Sequence, residues 1–116
     1  SNETIDNKPV EIKIIEPGLK NILAEQGYQF VNQESEADYI IRVNASTTAG
    51  TTYNGIYFSY VDATLSIIDA TSGVEKYKTS VEQVKGGGSN SQKAGIKALN
   101  LTSEQLKKEL IEYLKN

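Results

Sequence analysis

Residues 56–73 read Ile-Tyr-Phe-Ser-Tyr-Val-Asp-Ala-Thr-Leu-Ser-Ile-Ile-Asp-Ala-Thr-Ser-Gly, and this stretch decides the fold. Over residues 56–68 the side chains alternate. Tyr57, Val61, Ala63, Leu65 and Ile67 fall on one side of a pleat, and Tyr60, Asp62, Thr64 and Ser66 on the other. Asp69-Ala70-Thr71-Ser72-Gly73 then supplies an Asp to open a turn and a Gly to take a positive dihedral, so a hairpin is expected. Its returning strand covers residues 74–84, with Tyr77, Thr79 and Val81 on the core side.

The same reasoning extends outward. Residues 37–46 alternate with Tyr39, Ile41, Val43 and Ala45 on one side and Asp38, Ile40, Arg42, Asn44 and Ser46 on the other, a second strand with one wetter face. A Thr/Gly-rich connection over residues 47–55 joins it to the first. Upstream, residues 10–15 favour a short strand. Pro17 suits the first position of a helix, Leu19, Ile22 and Leu23 share one helical face, and Gly27 stands where such a helix ends. Residues 28–31 then read as a strand and 32–36 as a polar turn. Downstream, Gly86-Gly87-Gly88 reads as a flexible connector and Ser89-Asn90-Ser91 as capping residues. Ala94, Ala98, Leu99, Leu106, Leu110 and Leu114 then make one stripe on a long closing helix. The expected fold is an α+β two-layer sandwich: a mostly antiparallel sheet of three or four strands with two helices packed on one face. Residues 1–9 read as a flexible polar tether and 10–116 as a single domain.

The chain has 116 residues, 15 acidic and 12 basic side chains and a net charge of −3, which suits one domain with no broad basic surface, so nucleic acid is not an expected partner. It contains neither Cys nor His. Those two absences remove thiolate nucleophiles, Cys/His zinc sites, Ser-His-Asp triads and histidine bases, and no cofactor or metal is expected. A non-enzymatic role follows as the expectation. With no Met, a chain that starts at Ser1 reads as a processed or trimmed one, so the lack of a signal segment does not argue against export.

Three groups of residues invite a chemical reading. The glycine triplet before a helix resembles an anion cradle, but it lacks a Gly-Lys-Ser/Thr ending and a G-x-G-x-x-G pattern, so a plain hinge is preferred. Asp38 and Asp62 face outward, where paired acids can serve glycoside hydrolysis or Ca²⁺ binding; the spacing supports neither, and solvated strand acids are the simpler account. Tyr53, Tyr57, Phe58 and Tyr60 cluster beside Gly50, Asn54 and Gly55. They either shield the sheet edge, with Tyr57 inward, or form a contact surface on a loop over residues 53–60. In the second case Tyr53, Phe58, Tyr60, Arg42 and Asp62 are the expected partner-binding residues, with Ile40, Lys76 and Lys78 on the same face.

The order of these segments resembles a known group. Ala24-Glu25-Gln26-Gly27-Tyr28, Ala37-Asp38-Tyr39-Ile40-Ile41, the Asp69-to-Gly73 turn and Gly-Gly-Gly before an Ala-rich helix are similar to the small bacterial envelope lipoproteins related to penicillin-binding-protein activators, the curli-secretion lipoprotein and flagellar assembly protein T. The resemblance implies an extracytoplasmic sandwich domain held to a membrane by an N-terminal lipid anchor outside this sequence. Its expected partner is another envelope protein or a second copy; a small-ligand or glycan module is the alternative. The loops are too short for the membrane-spanning hairpins of the curli lipoprotein, so a pore is not expected, and no functional residue carries over.

Overall fold

The computed structural model describes residues 2–5, 8–9, 14–29 and 34–115. In chain order the elements are β1 (Asn2–Ile5), β2 (Lys8–Pro9), α1 (Ile15–Glu25), a short 3-10 turn (Glu34–Glu36), β3 (Tyr39–Tyr53), β4 (Ile56–Asp69), β5 (Glu75–Gly88) and α2 (Ser91–Lys115). The sheet runs β2-β1-β3-β4-β5. Its centre is the antiparallel set β3, β4 and β5, and the two helices cover one face, the expected α+β two-layer arrangement.

Burial follows the pleat. Val43, Ala45 and Thr47 on β3 and Ser59, Val61, Ala63, Leu65 and Ile67 on β4 point to the helix layer. There they meet Leu99, Leu106 and Leu110 of α2 and Ile15, Leu19 and Leu23 of α1. Full burial of a Leu or Ile side chain is worth roughly 1.5–3 kcal/mol, so this single layer supplies most of the driving force. Tyr77 of β5 stacks on Tyr113 of α2 with ring centroids 4.2 Å apart, and its hydroxyl donates to the Glu109 carbonyl oxygen at 3.3 Å. Loss of hydration at that place raises the Tyr77 pKa.

The structure departs from the sequence reading in five places. Residues 10–13 of the expected first strand lie outside the described residues, and Ile15 opens α1 instead. Ile15, Leu19 and Leu23 form one buried i, i+4, i+8 row, which carries the helix back past Pro17; as its third residue, Pro17 still needs no intrahelical acceptor. The helix ends as expected, with Gly27 donating to the Ala24 carbonyl and Tyr28 to the Leu23 carbonyl, each at 3.0 Å. Those bonds hold Tyr28 in the helix terminus rather than in a strand, and residues 30–33 lie outside the described residues.

The Thr/Gly-rich connection is also strand. β3 continues to Tyr53, and the hairpin turns through Asn54 and Gly55 at φ 51° and 77°, a pair of left-handed residues that matches the twist of the two strands. The aromatic segment is therefore a strand and hairpin end, not a loop. The glycine triplet closes β5 as well, since a Cβ on Gly86 would meet the Ala98 amide nitrogen, with Ala98 Cα at 2.7 Å and the Ala94 oxygen at 2.8 Å. Glycine is there so that α2 can lie on the strand.

Finally, residues 1–9 contain two short strands. β1 runs parallel to β3, pairing Asn2 with Asn44 and Ile5 with Thr47, and β2 returns antiparallel to β1. A polar sequence can do this because an open edge offers backbone hydrogen bonds without requiring apolar side chains.

Candidate functional site on the outer sheet face

The face away from the helices is built in rungs, each a row of side chains paired across strands. At the hairpin end Tyr53 pairs with Ile56, and Phe58 with Gly87. Thr48, Tyr60 and Lys85 make the next rung, then Ser46 with Asp62, then Asn44, Thr64 and Ser80, then Arg42, Ser66 and Lys78. The face thus passes from aromatic through hydroxyl and amide to basic.

The aromatic rungs are held by glycines and a cation. The Tyr60 ring lies over Gly50, where a Cβ would come within 2.5 Å of Cε2, and the Phe58 ring lies beside Gly87. Lys85 Nζ stands 4.3 Å from the Phe58 ring centroid. Phe58 and Tyr60 are half-buried by these contacts, whereas Tyr53 is 69% and Ile56 45% exposed. A bulge in β3 between Ala49 and Thr52 switches the pleat and brings Tyr53 to this outer face. Tyr57 has the helix-side parity expected of it, yet it is 41% exposed because it pairs with Gly88, just before α2 begins.

In the middle, Asp62 has a structural task. Gln83 forms a bulge opposite it at φ 54°, and the Asp62 carboxylate accepts the Gln83 backbone N–H at 2.9 Å and its side-chain amide at 3.3 Å. The bulge lets both Val81 and Val84 face the core. Beside it lies an open groove of about 750 Å³ lined by residues including Asn44, Ser46, Thr64, Lys78, Ser80 and Glu82.

Of the residues expected to bind a partner, Tyr53, Phe58, Tyr60 and Asp62 thus occupy consecutive rungs. Arg42 shares the face but sits two rungs beyond Asp62, about 13 Å away at ordinary strand geometry. Ile56 and Lys85 join the aromatic group without having been expected there, and reading the glycine triplet as strand would have found Lys85. Asp38 lies just before β3 and gives its carbonyl oxygen to the Ala70 N–H at 2.9 Å. Among the described residues no cluster of three His, Cys, Asp or Glu side chains could hold a metal ion, and no helix is long and apolar enough to cross a membrane.

No protein-family model matches the chain, and no curated protein matches it in sequence. Solved structures do share its fold. A "putative lipoprotein from Caulobacter crescentus CB15" aligns with a TM-score of 0.58 at 14% identity, over 98% of this chain and 89% of the other. A "putative neuraminyllactose-binding hemagglutinin homolog from Helicobacter pylori" aligns with a TM-score of 0.58 at 14% identity, over 94% of this chain and 81% of the other.

Proposed function

We propose that the chain is the non-catalytic extracytoplasmic domain of a bacterial lipoprotein, and that it binds another envelope protein or a second copy of itself through the hairpin end of the outer sheet face. The observation that carries this reading is the apolar and aromatic run Tyr53, Ile56 and Phe58 on one side of that end, two of its members exposed. Aromatic anchors set among small residues are what partner surfaces use, because they bring area at low entropic cost. The lack of Cys and His supports a non-catalytic role. The name of the Caulobacter neighbour supports the lipoprotein assignment.

The course of β1 gives the assignment a direction. Because β1 runs parallel to β3, its first residue, Asn2, is the end of β1 nearer the Tyr39 end of the sheet. An anchored domain would hold that end toward the membrane and present Tyr53 away from it.

Two experiments test the proposal. Lipid labelling and membrane fractionation of the full-length precursor should yield labelled, membrane-bound protein; unlabelled soluble protein would remove the anchor. A photo-crosslinking residue at Tyr53 should give discrete adducts in the envelope, while one at Lys108 on the exposed side of α2 should not. Equal labelling from both positions would remove the hairpin end as the contact.

A second reading, a small-ligand or glycan module, is favoured by the polar groove that continues the aromatic rungs. The name of the Helicobacter neighbour, which refers to neuraminyllactose binding, agrees with it.

A further inference from the structure

We propose that the rung Arg42–Ser66–Lys78 is an anion subsite and that the groove beside it takes a small acidic saccharide, its carboxylate on that rung. The inference rests on the second reading above and names the ligand's chemistry. Arg42 and Lys78 stand on the two strands flanking Ser66, so their backbones are about 10 Å apart at normal strand spacing, and both side chains are long enough to converge over the Ser66 hydroxyl. Both are exposed, and neither has an ion pair or side-chain hydrogen bond among the described residues. By contrast Lys85, the cation farther along the face, is engaged with Phe58. Two unpaired cations on the strands flanking one hydroxyl can reach a carboxylate bound there with charge-assisted bonds.

The rest of the groove fixes what the carboxylate is attached to. Asn44, Ser46, Thr64 and Ser80 offer hydroxyl and amide groups, and Asp62 and Glu82 close the far end. A second negative charge would be repelled there, whereas hydroxyl donors would be accepted. The groove therefore suits a molecule that is anionic at one end and rich in hydroxyls at the other. A protein partner fits this stretch less well, since Ser and Lys are depleted at the centres of protein interfaces and the two rungs next to Arg42 and Thr64 hold no aromatic residue.

The test is an amide-resolved NMR titration of the whole domain with neuraminyllactose, with lactose as the uncharged counterpart and triglutamate as an acidic peptide. Neuraminyllactose should shift the amides of Arg42, Ser66 and Lys78, and Arg42→Gln with Lys78→Gln should weaken it more than about tenfold, since two charge-assisted contacts are lost and each is worth roughly that factor. Both substitutions are on exposed side chains, and an unchanged amide spectrum elsewhere checks the fold. Lactose binding as tightly as neuraminyllactose would overturn the anion subsite and leave the glycan reading standing. Triglutamate shifting the same amides as strongly would overturn the saccharide assignment. No shift with either saccharide would overturn the subsite and the glycan reading together.

Discussion

The Asp62 carboxylate receives the Gln83 backbone N–H at 2.9 Å across the β4–β5 ladder, and Gln83 sits there at a φ of 54° that side-chain-bearing residues rarely adopt. A carboxylate that reads from the sequence as a surface binding group therefore holds a bulge. Asp62→Ala should lower stability by about 1 kcal/mol, the scale of one solvent-accessible charged hydrogen bond. Gln83→Gly should recover stability, because relief of a left-handed conformation is worth roughly 1 kcal/mol against the lost amide contact. Urea midpoints of the two variants decide the matter, and an Asp62→Ala protein as stable as the parent would show that the bulge stands without its carboxylate. Any use of Asp62 variants in binding work needs that control first.

Gly86 and Gly87 are neighbours with opposite demands. A Cβ on Gly86 would run into the α2 backbone, with Ala98 Cα at 2.7 Å and the Ala94 oxygen at 2.8 Å, and backbone cannot step aside without moving the helix. A Cβ on Gly87 would meet only side chains, the Phe58 ring at 3.3 Å and Ile56 Cγ2 at 3.4 Å, which can shift. Gly86→Ala should cost about 3 kcal/mol, the upper range for overpacking. Gly87→Ala should stay within about 0.5 kcal/mol of the parent or improve on it, since Ala loses less backbone entropy in a strand. A connector acting as a hinge would tolerate both equally in thermal unfolding.

This contrast also shows where the sequence could be read and where it could not. Alternation from Val61 to Ile67 and the Ala94-to-Leu110 stripe are each set by burial on one face, so period alone reveals them. Thr47 to Tyr53 and Gly86 to Gly88 carry no apolar alternation, and their strand character comes from pairing with β4 and from the approach of α2, neither of which is local. The Asn54-Gly55 pair was the one local sign that β3 runs on to the hairpin end. The outer-face positions of Phe58 and Tyr60 were legible from the pleat, but the partnership of Asp62 with Gln83 and the switch that brings Tyr53 outward depend on bulges, which have no dependable sequence signal.

The β4–β5 turn should make stability depend on pH through Asp69. Its carboxylate accepts the N–H groups of Ser72 and Thr71, each at 2.9 Å, and these bonds hold its pKa below the ordinary value of 3.8. The unfolded chain thus takes up the proton more readily than the folded one. The contribution is complete above the ordinary carboxylate range, shrinks as pH falls below 3.8 and disappears once the pH is under the lowered value. Asp69→Asn lacks this titration. The stability difference between parent and Asp69→Asn, measured by thermal unfolding, should be largest near neutral pH and narrow steadily in acid; a constant gap would mean the turn does not depend on the charged form.

Thr47 and Ser59 are the two polar residues buried on the helix-facing side of β3 and β4, each 1% exposed and with its hydroxyl unpartnered among the described residues. They lie on diagonal positions, Thr47 opposite Val61 and Ser59 opposite Ala49. Burying a hydroxyl without a hydrogen bond costs about 1–3 kcal/mol by mutational measure, so this part of the core carries a penalty that an apolar residue of equal shape would not. Thr47→Val keeps the branched outline and should raise stability by about 1 kcal/mol. Ser59→Ala should gain less, because removing the oxygen also leaves a small void whose lining loses contacts. Together the two should add nearly in full only if the hydroxyls act independently, and a double variant more stable than the sum of the singles would reveal that each was satisfying the other, because either single change then strands the remaining hydroxyl. Loss of stability in Thr47→Val would show instead that the hydroxyl is bonded in solution, which turns the spot from a packing defect into a hydrated polar site beneath the hairpin end.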